Sequence, residues 1–343
     1  MAGITHLKEF SKPVLRGLVD ESQKSNYEYL EFVEQFIGDE VTYDTKFAYD
    51  VIKRSNHIAA MIGLGAEKPV VDRHATASVM GELAHFGLKD VVTIEELYEI
   101  AQARNDASKA AMIDKLVNKG IDLLDYLKLR VRVEKLKALA IGYNEYDNNN
   151  VKVKLDYGIP EEHKHALVGA EAWSNADKDV IGDLLGWVAT YQRNNGKKPE
   201  AMLITRKVLN ALTENTLLIA EAGRPDGAKR ISMIELEDVL TRYGLPKLVV
   251  VEETEVAVRD IYTGEDEIIS VFPENRVVLV SSDAGKFLTG PNPDDDNFAP
   301  VVVLDAYDER TPKRSIIEVS QSGFAILENP NLVFHADVIE EEE

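Results

Sequence analysis

The chain has 343 residues, 45% of them hydrophobic, with 39 Lys+Arg against 60 Asp+Glu for a formal net charge of −21. That length suits about two domains and a sizeable core, and the acidic balance lacks the basic footprint of a protein that grips phosphate backbones. Cysteine is absent, which excludes disulfides, thiolate zinc sites and thiol catalysis and suits a reducing compartment. No run approaches the ~20 apolar residues of a membrane helix, and the opening MAGITHLKEF lacks the regions of a signal peptide. The default expectation is a cytoplasmic protein with no membrane partner.

In chain order, residues 1–40 read as a helical arm. Tyr29, Leu30, Phe32, Val33, Phe36 and Ile37 recur at helical spacing, Gly38 reads as the terminator, and Pro13 sets the first decapeptide apart. Residues 41–92 change character. VTYDTKFAYDVI, IAAMIGLGAEKPVVDR and HATASVMGELAHFGLKDVVT mix strand-like pieces with turn signals and no amphipathic helix. A stretch this long without a core face, yet too apolar for disorder, predicts an extended excursion stabilised by something else.

Thr93 with Glu96 makes a capping box, and a helical stripe then runs through Leu97, Ala101, Ile113, Leu116, Val117, Gly120, Ile121, Leu124, Leu127 and Val131 to a C-cap at Gly142. Continuous, this helix would exceed a compact domain, so it is either broken near Gly120 or an elongated spine. Within it Lys128, Arg130, Arg132, Lys135 and Lys137 alternate with apolar residues. They are either a solvated face or a contact for nucleic acid or an acidic partner.

Residues 143–150 read as a polar turn and 151–158 as a strand. A helix capped by Ser174 or Asn175 follows, with Val180, Ile181, Leu184, Leu185 and Val188 as its face and Gly196 as terminator. AMLIT (201–205) reads as a buried strand, 206–216 and 232–244 as helices, and 247–253, 276–282 and 300–307 as strands. A hairpin is expected about Thr263-Gly264-Glu265-Asp266. Two alternating runs flanking Asn329-Pro330-Asn331 read as a last hairpin closing a sheet beside the spine helix. Helices and strands interleave with hairpins, so the class is α+β.

Candidate chemistry is sparse. His163 and His165 form an H-x-H pair that needs further ligands to hold a metal, and otherwise lies in a polar loop. Asp294-Asp295-Asp296 lacks the register of a calcium loop and reads as a solvated turn. Gly63-Leu64-Gly65 with Lys68 lacks the phosphate-loop pattern. His6, His57, His74, His85 and His335 are scattered, and no serine has a nucleophile context. No catalytic, cofactor-binding or metal residue is nominated, and the expectation is a protein that is not an enzyme and takes no cofactor.

Several collinear stretches resemble a known family. Ala172-Trp173-Ser174 followed by Asp177, then Phe272-Pro273-Glu274-Asn275-Arg276-Val277-Val278-Leu279, then Arg314 to Val338 are similar to segments of the lambda-type head proteins. Lys89-Asp90-Val91 is a weaker fourth match. The likeness spans about Phe36 to Val338 and points to the phage major capsid protein E family, with the Hong Kong 97-type fold that encapsulin shells also use. The resemblance implies an N-terminal arm (1–40), an extended β loop (41–92), a peripheral domain with the spine helix (93–171 and 308–343) and an apical domain (172–307). It implies self-assembly into pentamers and hexamers of an icosahedral shell that encloses double-stranded DNA without reading its sequence. Expected partners are further copies, a scaffolding protein, a portal and a decoration protein, with the virion as destination after assembly in the host cytoplasm. Two alternatives stay open: an encapsulin-like bacterial compartment, and a cytoplasmic metal-dependent hydrolase built on residues 172–307.

Overall fold

The computed structural model describes residues 3–24, 30–52, 76–103, 105–148, 151–225, 227–259 and 264–340. The arm contains a helix, α1 (Lys12–Lys24), placed upstream of the expected one. Its buried side chains Leu15, Val19 and Ser22 lie on one face, and Pro13 falls in the first turn, where a missing N–H leaves no bond unmade. Residues 31–35 form a single 3-10 turn and Ile37–Val41 a strand, β1, so Gly38 terminates no helix. The helical spacing there was misleading because Leu30, Val33 and Ile37 are buried from a turn and a strand that share one apolar cluster.

β2 (Lys46–Ile52) and β3 (Thr76–Glu82) pair antiparallel as a two-stranded ribbon, and β4 (Ala84–Val92) follows. Thr93 and Glu96 form the expected capping box for α2 (Ile94–Ala101). α2 ends at Ala101 and a new helix starts from an Asn105 cap, so α3 (Asp106–Ala140) runs 35 residues straight through Gly120. At 1.5 Å per residue that is about 52 Å. Gly142, at φ 79°, ends it as expected. β5 (Tyr143–Asn148) and β6 (Val151–Asp156) form a second ribbon where a polar turn was expected over 143–150.

β7 (Lys164–Ala166) precedes α4 (Val180–Asn195), whose cap is Asp179 rather than Ser174 or Asn175. The intervening residues make their own turns, and the α4 face is Val180, Leu184, Trp187, Val188 and Tyr191, leaving Leu185 exposed. β8 (Ala201–Thr205) is buried along its length, followed by α5 (Arg206–Glu214), α6 (Thr216–Glu221), α7 (Met233–Arg242) and β9 (Lys247–Val251). β10 (Glu255–Arg259) and β11 (Asp266–Ser270) are the expected hairpin. The last strands are β12 (Arg276–Val280), β13 (Gly285–Gly290), β14 (Val303–Arg310), β15 (Lys313–Ile326) and β16 (Val333–Asp337).

Two five-stranded sheets organise these elements. In the first, β15 lies between β4 on one edge and, in succession, β14 and β13 on the other, with β1 parallel to β13. The second runs β7-β16-β12-β8-β9. The tail is therefore not a hairpin: β15 closes the first sheet, whereas β16 inserts between β12 and β7 of the second. Pro330 starts a 3-10 turn instead of a tight hairpin turn. Neighbours hold that turn, with Asn195 Nδ2 donating to Asn331 O at 2.8 Å and Asn329 N to Ala284 O at 3.1 Å.

α3 joins the sheets. Its N-terminal half packs on the first, where Leu304 and Ile317 lie beneath Gly120. Its C-terminus meets the second, where Arg276 donates to Ala140 O at 2.8 Å while gripping Asp337 with two further bonds. His335 Nε2 donates to Leu139 O at 2.6 Å. These donors satisfy carbonyls that a helix end leaves open.

A methyl group added at Gly120 would meet Ile317 and Leu304 only at 3.7–3.8 Å, ordinary contact. Gly120→Ala is therefore expected to raise subunit stability by about 0.5–1 kcal/mol, and Gly120→Leu to lower it, both read from urea midpoints. Burial, reinforced by Arg276, holds the His335 imidazole down at about 4, below the ordinary 6.5. The unfolded chain thus binds this proton first. Stability is full above pH 6.5 and falls as pH drops toward 4, by up to about 3 kcal/mol. His335→Gln should flatten that slope in melting curves taken across pH 4–7.

Candidate interaction surfaces

The basic stretch of α3 is neither a solvated face nor an open patch. Lys135 is 1% exposed, sits over the Phe287 ring and pairs with Asp39 of β1 at 2.7 Å. Arg132 pairs with Glu34 at 2.8 Å, Arg130 with Glu134 at 2.8 Å, and Lys128 donates to Ser22 O. Lys137 is half-buried, which lowers its pKa. For Arg132 and Lys135 the acidic partner is the chain's own segment 31–41, which these two cations fasten to α3.

The acidic tripeptide is likewise engaged. Asp296 pairs with Lys12 at 2.8 Å and Asp295 with Arg16 at 3.6 Å, both on α1. Asp294 lies 3.3 Å from His85 at the start of β4. Asp295 is buried and accepts from the N–H groups of Asn297 and Ala299, which hold its carboxyl below the usual range. Further along the first sheet, Thr5 donates to Asp308, and Ile4 N donates to Ser315 Oγ at 3.2 Å. Between α1, α3, β14 and this loop runs a groove of about 970 Å³ lined by both signs of charge.

The H-x-H pair is split by burial. His163 is fully buried, with Nδ1 3.1 Å from Val333 O and Nε2 2.9 Å from Asn194, and stacks on Tyr191. His165 is exposed and stacks on Phe334 and Trp187. The pair therefore contributes to an aromatic column that continues to Trp173, not to the expected polar loop. Among the described residues no group of three His, Asp or Glu could hold a metal. Gly63-Leu64-Gly65, Lys68, His57 and His74 lie outside the described residues.

Beyond the two large sheets, three ribbons stand alone in their hydrogen bonding among the described residues: β2–β3, β5–β6 and β10–β11. The root of the first is fixed. Leu83 N donates to Thr45 O at 3.1 Å, Thr42 N donates to Thr289 O at 2.8 Å, and Leu83 seats against Gly290, where a Cβ would come within 2.0 Å of Leu83. Large apolar side chains are exposed at Tyr43, Val41, Val168, Ile234, Ile268 and Phe298. Composition gave no signal for these. Val41 ends β1, Ile234 lies on α7 and Ile268 on the β10–β11 ribbon, whereas Tyr43, Val168 and Phe298 lie in connections.

The described features are ribbons outside the two large sheets, separate exposed apolar side chains and charge pairs that fasten segments 12–16 and 31–41 in place. No helix among the described residues is long and apolar enough to cross a membrane.

Comparison with known proteins places these features in context. The model of the family described as phage major capsid protein E matches residues 22–338. No curated protein matches the chain. Among solved structures, a protein assigned as the capsid protein of an E. coli CFT073 prophage aligns with TM-score 0.61 at 11% identity, over 94% of this chain and 98% of that one. A phage-related protein from Bordetella bronchiseptica RB50 aligns with TM-score 0.53 at 14% identity, over 94% and 96%. The mature capsid of bacteriophage PhiM1 aligns with TM-score 0.53 at 10% identity, over 93% and 90%.

The Lys135–Asp39 pair yields a paired test. Asp39→Asn leaves a buried ammonium without its carboxylate and should cost about 2 kcal/mol. Lys135→Met removes the charge while keeping most of the volume and should stay within about 1 kcal/mol of wild type. Equal losses in urea midpoints would show that packing, not charge, fastens β1.

Proposed function

The chain belongs to the phage major capsid protein E family, and from that premise we propose that it is the subunit of an icosahedral head, assembling as pentamers and hexamers around double-stranded DNA. Its α+β fold is of the Hong Kong 97 type, a capsid subunit is a structural protein rather than an enzyme, and its place is the virion. Assembly in the host cytoplasm, with a scaffolding protein, a portal and a decoration protein as partners, completes the reading.

The observation that carries it is the β2–β3 ribbon. A two-stranded ribbon is marginal in water on its own, and this one joins neither large sheet. In a shell the surface of an adjacent subunit would cover it. Many such modest contacts, summed over a closed symmetric assembly, suffice for stability without a dominant motif. A net charge of −21 would keep the subunit from adsorbing packed DNA, so the genome stays free to leave.

In this reading the chain divides into an arm (1–40), an extended loop (41–92), a peripheral domain (93–171 and 308–343) and an apical domain (172–307). Strand pairing supports shifting these bounds: β13 and β14 would go with the sheet of β15, and β7 and β16 with that of β8, β9 and β12.

The test is assembly. Expressed alone or with a scaffolding protein, the chain should give pentamers, hexamers or shells by electron microscopy, and a monodisperse monomer under every condition would overturn the proposal. Thr45 and Leu83 are already hydrogen-bonded, so residues 46–82 can be replaced by two glycines without pulling the root apart. That deletion should leave subunit melting intact and block shell formation. Normal shells would mean that the ribbon is not a contact between subunits.

A further inference from the structure

The loop at residues 291–301 is built more firmly than a solvated turn requires. Asn292 is fully buried, donates to Val301 O at 3.1 Å and Ser320 O at 3.0 Å, and its backbone N donates to Ala299 O at 3.1 Å. The buried Asp295 carboxylate accepts from the N–H groups of Asn297 and Ala299, on either side of Phe298, whose own N–H donates to Asp295 O. Pro291, Pro293 and Pro300 stiffen the same stretch.

This framework holds Phe298 at φ 53°, a left-handed conformation that opposes a bulky side chain. Two other non-glycine residues of the described chain share positive φ. Leu30 gains burial there, and Asp283 is of a type that tolerates it. Phe298 gains neither, being 64% exposed, with Val301 exposed beside it in sequence. Glycine or asparagine would take this conformation at less cost.

We propose that the 291–301 loop is a contact between copies, with Phe298 as a preorganised aromatic anchor that a second copy of this chain covers. The proposal rests on the shell reading above and names one of its contacts. Charge on the same loop selects the partner. The chain's net charge of −21 disfavours nucleic acid and anionic lipid. On this loop itself Asp296 and Asp295 are paired with Lys12 and Arg16 of the same chain, so like surfaces can approach here without concentrating unpaired negative charge. A rigid aromatic on a stiff loop loses little freedom on being covered, as interface anchors do.

The absence of cysteine permits a clean probe. Asn297→Cys introduces a single thiol beside the intact ring, which should react freely with a maleimide in unassembled subunits and at least tenfold more slowly in assembled particles. Phe298→Asn relieves the backbone conformation while removing the ring. It should melt no lower than wild type as a free subunit, yet assemble at least tenfold less at the same concentration. Particles of wild-type yield from the Asn variant, or undiminished thiol reactivity in particles, overturn the proposal while leaving the shell reading standing. Protection that appears only on adding DNA or another protein overturns it as well. A wild-type chain that never assembles overturns the shell reading itself, and this contact with it.

Discussion

β15 is the strand on which the rest of the molecule depends. A strand has two hydrogen-bonding edges, and both must be matched when it is buried. β15 meets this demand with segments distant in sequence: β4 along one edge, β14 and then β13 along the other. α3 crosses its face, where Ile317 packs beneath Gly120. β4, the spine helix, β13 and β14 are thus bound through one strand. Without it, β4 would have no sheet to close and the ribbon beyond it no fixed root.

α3 has a second task that its length makes possible. Its N-terminal half belongs to the first sheet's core, while its C-terminal turn is held by Arg276 and His335 of the second sheet. Between these ends its cations fasten the segment 31–41 through Asp39 and Glu34. A buried lysine is expensive unless paired, so Lys135 makes the position of β1 specific: any register without Asp39 beside it is penalised. Asp295 and Asp296 fasten α1 to the 291–301 loop in a lighter, more exposed way. The arm is therefore held by charge at two places and by apolar packing of Ile4, Leu15 and Val19.

These fastenings give the β2–β3 ribbon and the 291–301 loop fixed roots, set by Leu83 on Gly290 and by the bonds of Asn292 and Asp295. The histidine pair shows the contrast. What could have been a metal site is one buried ring and one exposed ring in a stack that tightens β7 and α4 against β16.

Local features were legible in the sequence because local forces decide them. The Thr93 capping box, the Gly142 and Gly196 terminators, the buried AMLIT strand and the 255–270 hairpin each depend on residues within one or two turns of chain. The collinear family likeness added the architecture. What the sequence could not convey is which distant segment meets which. The helical spacing of residues 29–37 came from a turn and a strand packing into one cluster, and the cap of α4 moved to Asp179 because the preceding residues make their own turns. Lys135 and Asp39 look like two of many charges until α3 and β1 are placed together. The separate fates of β15 and β16 follow the same logic: alternation marks both as strands, but long-range pairing assigns each to its own sheet. By itself the sequence determined many of the local elements and the kind of protein they make. Only the tertiary structure decided the pairing of strands, the burial of charges and the exposure of Phe298, because these arise from contacts beyond the reach of local pattern, from β4 on β15 to Asp39 on Lys135.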